Sequence, residues 1–198
     1  MLTFYYGVMT SGKSARAILC YNSYIQNLPH TPDSPVALLL HPTIDTRSED
    51  VTSRSGLSAK AAPFNPDTDL FNLCIDSDPN RTLRYVIVDE AQFCTTDQIG
   101  ELWTLSITRN VNVICYGLKT DHTASLFPAA QLLLEVADEI HEIPGLCACG
   151  AKAIFNVRYR NGVPDFGGPD LIIDDGKSDV VYKSLCSRCW AAANYGQL

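Results

Sequence analysis

Residues Gly7-Val8-Met9-Thr10-Ser11-Gly12-Lys13-Ser14 match the pattern G-x-x-x-x-G-K-[ST], and no other stretch restricts the fold as severely. The octet is bracketed by LTFYYG (2–7), an apolar run without alternation that reads as a buried parallel strand. Behind it, residues 13–28 place Ala17, Leu19, Cys20, Tyr24 and Leu28 at helical spacings. A loop of this kind between strand and helix is suited to phosphate. Its glycines let backbone N–H groups curve around phosphate oxygens, and the positive end of the following helix faces the same oxygens. Lys13 reaches the β and γ oxygens, and Ser14 offers a hydroxyl to Mg²⁺.

Pro29, Pro32 and Pro35 end the first helix. Further strands are predicted over 36–42, 83–93, 110–118 and 139–144, and helices over 70–77, 95–106 (capped by Thr95 or Thr96) and 124–138. Residues 43–67 read as a loop with at most one helical turn. Such alternation predicts an α/β fold, a parallel sheet flanked by helices. Beyond Pro144 the texture changes. Residues 145–198 hold β-like runs at 153–159 and 180–185 around a Gly/Asp-rich middle, with too few apolar residues for a core of their own. The expected division is therefore a nucleotide-binding domain over 1–143 and a small stapled lobe over 144–198.

The staple is visible in the cysteines. Cys147-x-Cys149 and Cys186-x-x-Cys189 can set four thiolates around a closed, structural Zn²⁺. A redox pair would need only two cysteines. Cys20, Cys74, Cys94 and Cys115 are scattered through apolar segments and read as small core residues. A second chemical feature is VIV-Asp89-Glu90, an apolar run ending in two carboxylates. At the carboxyl end of a strand near a phosphate loop, Asp89 is placed to partner Mg²⁺. Glu90 has two uses at this stage, orienting water in an ATPase or accepting the proton of an attacking alcohol in a kinase. A net charge of −7 and a pI near 4.9 argue against nucleic acid as a partner. No apolar run approaches membrane-spanning length and the first residues lack a signal-peptide pattern, so no membrane association and a cytoplasmic location are expected.

Four features stand in order: the phosphate loop, Asp89-Glu90-Ala91-Gln92-Phe93, Gly117-Leu118-Lys119-Thr120-Asp121, and a four-cysteine lobe with Tyr182 ahead of Cys186. Together they closely resemble the thymidine kinase family whose members are compact, zinc-containing tetramers. Asp45-Thr46-Arg47 and Ser53-Arg54-Ser55-Gly56-Leu57 look like its bacterial branch. The resemblance implies a P-loop (RecA-like) sheet and a zinc-ribbon-like C-terminal lobe carrying a lasso loop. It implies ATP-dependent 5′-phosphorylation of thymidine or deoxyuridine in nucleotide salvage, a homotetramer, and dTTP as a feedback inhibitor. Gly7, Val8, Met9, Thr10, Ser11, Gly12, Lys13 and Ser14, with Asp89 and Gln92, would contact ATP. Glu90 would be the general base and Arg47 would steady the phosphoryl group. Met9, Phe93, Leu118 and Phe127 would wall the base, and Ile172, Ile173, Asp174, Asp175 and Gly176, with Tyr182, would form the lasso. The alternatives are a P-loop ATPase and a nucleotide-sensing module with no acceptor. The chain departs from the family in His122, where Phe is common, in Thr123, where a basic residue follows, and in a longer, more acidic lasso; these departures bear on base selectivity.

Overall fold

The computed structural model describes residues 1–31, 33–44, 50–167 and 179–196. Strand β1 (Leu2–Tyr6) leads through the phosphate loop into α1 (Lys13–Asn27), and the chain returns in β2 (Ala37–Pro42). The stretch expected to be a loop holds three short strands instead: β3 (Val51–Thr52), β4 (Ser58–Ala59) and β5 (Ala62–Phe64). β3 and β4 pair antiparallel, and the Ser53–Leu57 motif is their turn, tied by Leu57 N–H to Ser53 Oγ at 3.0 Å. β5 adds to the sheet beside β2. Strands of two or three residues give almost no periodic signal, which is why the pattern missed them.

Then follow α2 (Leu70–Asp76), β6 (Tyr85–Val88), a 3-10 turn (Ala91–Phe93), α3 (Thr96–Thr108), β7 (Asn112–Gly117), α4 (Pro128–Val136) and β8 (Glu139–Glu142). The strand expected over 83–93 stops at Val88, because the chain leaves the sheet where the carboxylates begin. Thr95 caps α3 in a reciprocal capping box with Gln98. The helix expected from residue 124 starts at Pro128, a favoured first-turn position. Ahead of it, Asp121 Oδ1 accepts the N–H groups of Thr123 at 2.7 Å and Ser125 at 3.0 Å, which holds the backbone in a turn.

Among the described residues the main sheet has six parallel strands in the order β5-β2-β6-β7-β1-β8. Both faces of its middle are covered, so β1, β2, β6 and β7 are largely apolar, whereas the edge strand β8 is polar and exposed. Val86 and Val88 of β6, and Val113 and Cys115 of β7, share one buried cluster with Ile99, Leu102 and Leu105 of α3 and with Leu133 of α4. Ile87, Ile114 and Tyr116 point the other way, toward Ala17 and Ile18 of α1. Each fully buried Leu or Ile removes enough apolar surface to contribute about 1.5–3 kcal/mol. Cys74, Cys94 and Cys115 are buried core residues as expected, while Cys20 on α1 is half-buried among tyrosines.

Among the described residues the C-terminal part holds an antiparallel pair, β9 (Gly145–Leu146) with β10 (Lys152–Ala153), and a three-stranded sheet in which β11 (Phe155–Arg160) lies between β12 (Val163–Pro164) and β13 (Val180–Leu185). The run VVYKSL is a strand as expected. A helix, α5 (Ser187–Tyr195), follows it that the sequence reading did not anticipate. Its small buried cluster unites Cys147, Ala153, Val157, Leu185 and Cys186 with Val8 of the phosphate loop.

Candidate functional site

Parallel strands gather their loops at one edge, and here β7 lies between β1 and β6. The phosphate loop after β1, Asp89 after β6 and Leu118 after β7 are therefore neighbours at the carboxyl ends of adjacent strands. The loop bends back on itself. Gly7 N–H donates to Gly117 O at 3.2 Å, Ser11 N–H to Val8 O at 3.3 Å, and Lys13 Nζ to Val8 O at 2.9 Å. Gly12 precedes α1 with φ 84°, and no side chain caps the helix. No N-cap side chain thus occupies the start of α1, a condition that favours an anion at a helix start.

Asp89 is 2% exposed and its Oδ1 has no hydrogen-bond partner among the described residues. Burial, with a lesser contribution from the Glu90 charge, pushes its carboxyl up to about 7, although Ser14 and Lys13 pull the other way. A buried carboxylate with one oxygen left orphaned, beside the Ser14 side chain, fits a divalent cation, which would restore the ionised form.

Glu90 takes a left-handed conformation, φ 51° and ψ 41°. That costs about 1–2 kcal/mol for a residue with a side chain, and such strain persists only where surroundings impose it. The surroundings are identifiable. Gln92 Nε2 donates to Glu90 Oε2 at 2.7 Å, and Gln92 Oε1 accepts from Leu118 N–H at 2.9 Å. Gln92 is itself buried, so Glu90 is referenced to the end of β7 through one amide. Gly117 makes room for it: a Cβ there would lie 2.9 Å from Gln92 Oε1 and 3.2 Å from Gln92 N. The sequence reading grouped Gln92 with ATP; the contact that the structure gives it is to the carboxylate. Nothing in the sequence distinguishes these uses, since both need a polar side chain near the strand end.

Of the residues expected to wall a base, Phe93 and Phe127 meet edge to face with centroids 6.2 Å apart. Leu118 joins them through Gln92. Met9 lies against the C-terminal strands, its N–H donating to Asn156 Oδ1 at 2.7 Å and its carbonyl accepting from Ser184 Oγ at 2.8 Å. Tyr182 is half-buried on β13, opposite Arg158. Arg47 and Ile172, Ile173, Asp174, Asp175 and Gly176 lie outside the described residues. His122, which stands where Phe is common in the family, is buried, 2% exposed. A small open crevice runs from Gly7 and Val8 past Lys119 and Thr120 to Ile154 and Asn156.

The four cysteines converge. Cys147 and Cys149 sit at the β9–β10 turn, Cys186 caps α5 and Cys189 lies in its first turn. All four sulfurs lie within 4.8 Å of one another, with Cys149 and Cys186 at 3.6 Å. Tetrahedral thiolates about 2.3 Å from one zinc would stand just under 4 Å apart, so the donor set and spacing fit that metal. Backbone N–H groups of Cys149 and Cys186 hold the Cys147 thiol down at about 6, whereas hydrogen bonds with the other three thiols push Cys189 up to about 12. Four thiols this close do not ionise together without a cation among them.

The family model for thymidine kinase matches residues 1–190. The thymidine kinase of Enterobacteria phage T4 is 35% identical over 192 residues, spanning 96% of this chain and 94% of its own. That of Legionella pneumophila strain Paris is 38% identical over 184 residues, 90% of this chain and 85% of its own. That of Zymomonas mobilis is 36% identical over 190 residues, 94% of each. No helix among the described residues is long and apolar enough to cross a membrane.

Proposed function

Because the chain belongs to the thymidine kinase family, we propose that it transfers the γ-phosphoryl group of ATP to the 5′-hydroxyl of thymidine, with Glu90 as general base. The observation that carries this reading is the placement of Glu90 beside the buried Asp89, its carboxylate held by Gln92 against the end of β7. Lys13 leaves Val8 O to meet the β and γ oxygens, and the N–H groups at the start of α1 complete the cradle. Ser14 and Asp89 would hold Mg²⁺, which when bound neutralises charge on the transferring phosphoryl group. An alcohol is a weak acid, so Glu90 takes its proton as the O–P bond forms and not before. A carboxylate fixed by an amide needs little reorganisation at that moment.

Phe93, Phe127, Leu118 and Met9 supply the apolar wall for a pyrimidine, with Tyr182 and Ile172, Ile173, Asp174, Asp175 and Gly176 gripping its other side and Arg47 steadying the phosphoryl group. Zinc on the four cysteines would staple the lobe, residues 144–198, on which that loop is carried. Deoxyuridine as a second acceptor, dTTP as an inhibitor in the same pocket, a homotetramer and a cytoplasmic location follow from the family reading. Family membership supports a kinase over a P-loop ATPase or a sensing module.

The test is Glu90→Gln. The amide keeps the shape but cannot take a proton, so thymidine monophosphate formation from labelled ATP falls by roughly 10²–10⁴-fold. Binding of Mg·ADP stays near wild type. Turnover at the wild-type rate removes Glu90 as the base.

A further inference from the structure

The segment that carries the cysteines also grips the phosphate loop. Asn156 on β11 and Ser184 on β13 are cross-strand partners. Between them they take both main-chain groups of Met9: its N–H donates to Asn156 Oδ1 at 2.7 Å and its carbonyl accepts from Ser184 Oγ at 2.8 Å. Asn156 is only 4% exposed, so its amide oxygen is committed to this contact. Packing runs alongside. Val8 belongs to the buried cluster of Cys147, Cys186 and Val157, and a Cβ on Gly145 would lie 2.2 Å from Val8 Cγ2. The next residue, Thr10, has φ 66°, a strained value for a side chain with a branched Cβ. A loop with that strain keeps its curve only if its shoulders are fixed. Ahead of the bend, the shoulder is fixed by two polar side chains from the cysteine-bearing segment.

We propose that Asn156 and Ser184 are positioning residues for the phosphate loop, so that nucleotide affinity depends on the fold of the four-cysteine segment. The proposal rests on reading the loop as the nucleotide site. The Met9 N–H, held by Asn156, is withdrawn from phosphate; what the fork supplies is the direction in which the following residues curve. The coupling is reciprocal, because a bound nucleotide that fixes the loop also fixes Met9 and through it β11 and β13. Nucleotide therefore retards loss of zinc from the cysteines.

The experiment uses the full chain as wild type, Ser184→Ala, Ser184→Thr and Asn156→Ala, each verified folded by circular dichroism at the assay temperature. Mg·ADP affinity is measured by calorimetry. Loss of one such hydrogen bond weakens binding by about fivefold in Ser184→Ala, and Ser184→Thr, which keeps the hydroxyl, restores it. A double variant that combines Asn156→Ala with Ser184→Ala loses less than the product of the two single losses, since both side chains hold one residue. In zinc-loaded protein, saturating Mg·ADP slows metal release to a colorimetric chelator in the wild type and not in Ser184→Ala. A merely structural fork would lower the melting temperature and leave Mg·ADP affinity unchanged. Ser184→Ala within about twofold of wild type for Mg·ADP overturns the proposal, as does metal release indifferent to nucleotide in the wild type. Failure of the wild type to bind Mg·ADP defeats the nucleotide reading itself, a separate outcome. Should Asn156→Ala not fold, the Ser184 pair decides alone.

Discussion

Replacing Asp89 with Asn removes a charge that the fold itself disfavours, and the consequence can be worked from the structure. Burial holds the Asp89 carboxyl at about 7 in the folded protein against 3.8 ordinarily, a difference that costs roughly 4 kcal/mol at 1.36 kcal/mol per pH unit. Below 3.8 both folded and unfolded chains keep the proton. Between 3.8 and about 7 only the folded chain keeps it, so stability declines as pH rises through that window and is flat above it. The Asp89→Asn variant has no such decline. Its amide leaves one buried polar group without a partner, at about 1–3 kcal/mol, but that penalty does not vary with pH. The informative quantity is therefore how the difference between Asp89→Asn and wild type changes with pH. From about pH 5 to pH 8 it moves in favour of the variant by about 2–3 kcal/mol, which for a chain of this size is roughly 5–10 °C in melting temperature. Urea unfolding and thermal melts in magnesium-free buffer measure it. Saturating Mg·ADP reverses the order, because the cation that relieves the wild-type carboxylate finds only an amide in the variant. A difference independent of pH would refute the claim that Asp89 is charged at a desolvation cost, and with it the argument for a cation there.

Two further substitutions test neighbouring claims. Gly117→Ala puts a methyl group 2.9 Å from Gln92 Oε1, displaces the amide and frees Glu90, so kcat drops about tenfold with Mg·ADP affinity unchanged; full activity would show that Gln92 does not set the carboxylate. Cys186→Ser removes one of the four thiolates, so bound zinc falls, the melting temperature drops, and the thymidine KM rises more than kcat falls. Zinc-free protein with unaltered thymidine kinetics would exclude an anchoring role for the metal.

Local chemistry was legible in the sequence. A glycine-rich octet between an apolar run and a helical one leaves few options, because nothing else needs N–H groups bare at a helix start beside a lysine. Asp89 and Glu90 stood out because charge at the end of a buried strand is expensive unless it is used. The paired cysteines announced themselves by spacing. The alternation of strands and helices also predicted helices on both faces of the sheet, which the split of Val86 and Val88 from Ile87 bears out. Tertiary structure decided what depends on residues distant in sequence. That β7 lies between β1 and β6, bringing Gln92 to Leu118 and Glu90 to its conformation, is a fact of strand order. That Asn156 and Ser184, 147 and 175 residues from Met9, close on its two main-chain groups is another. Periodicity and spacing report only neighbours along the chain; a hydrogen bond to a backbone group leaves no trace in the identity of the residue that receives it.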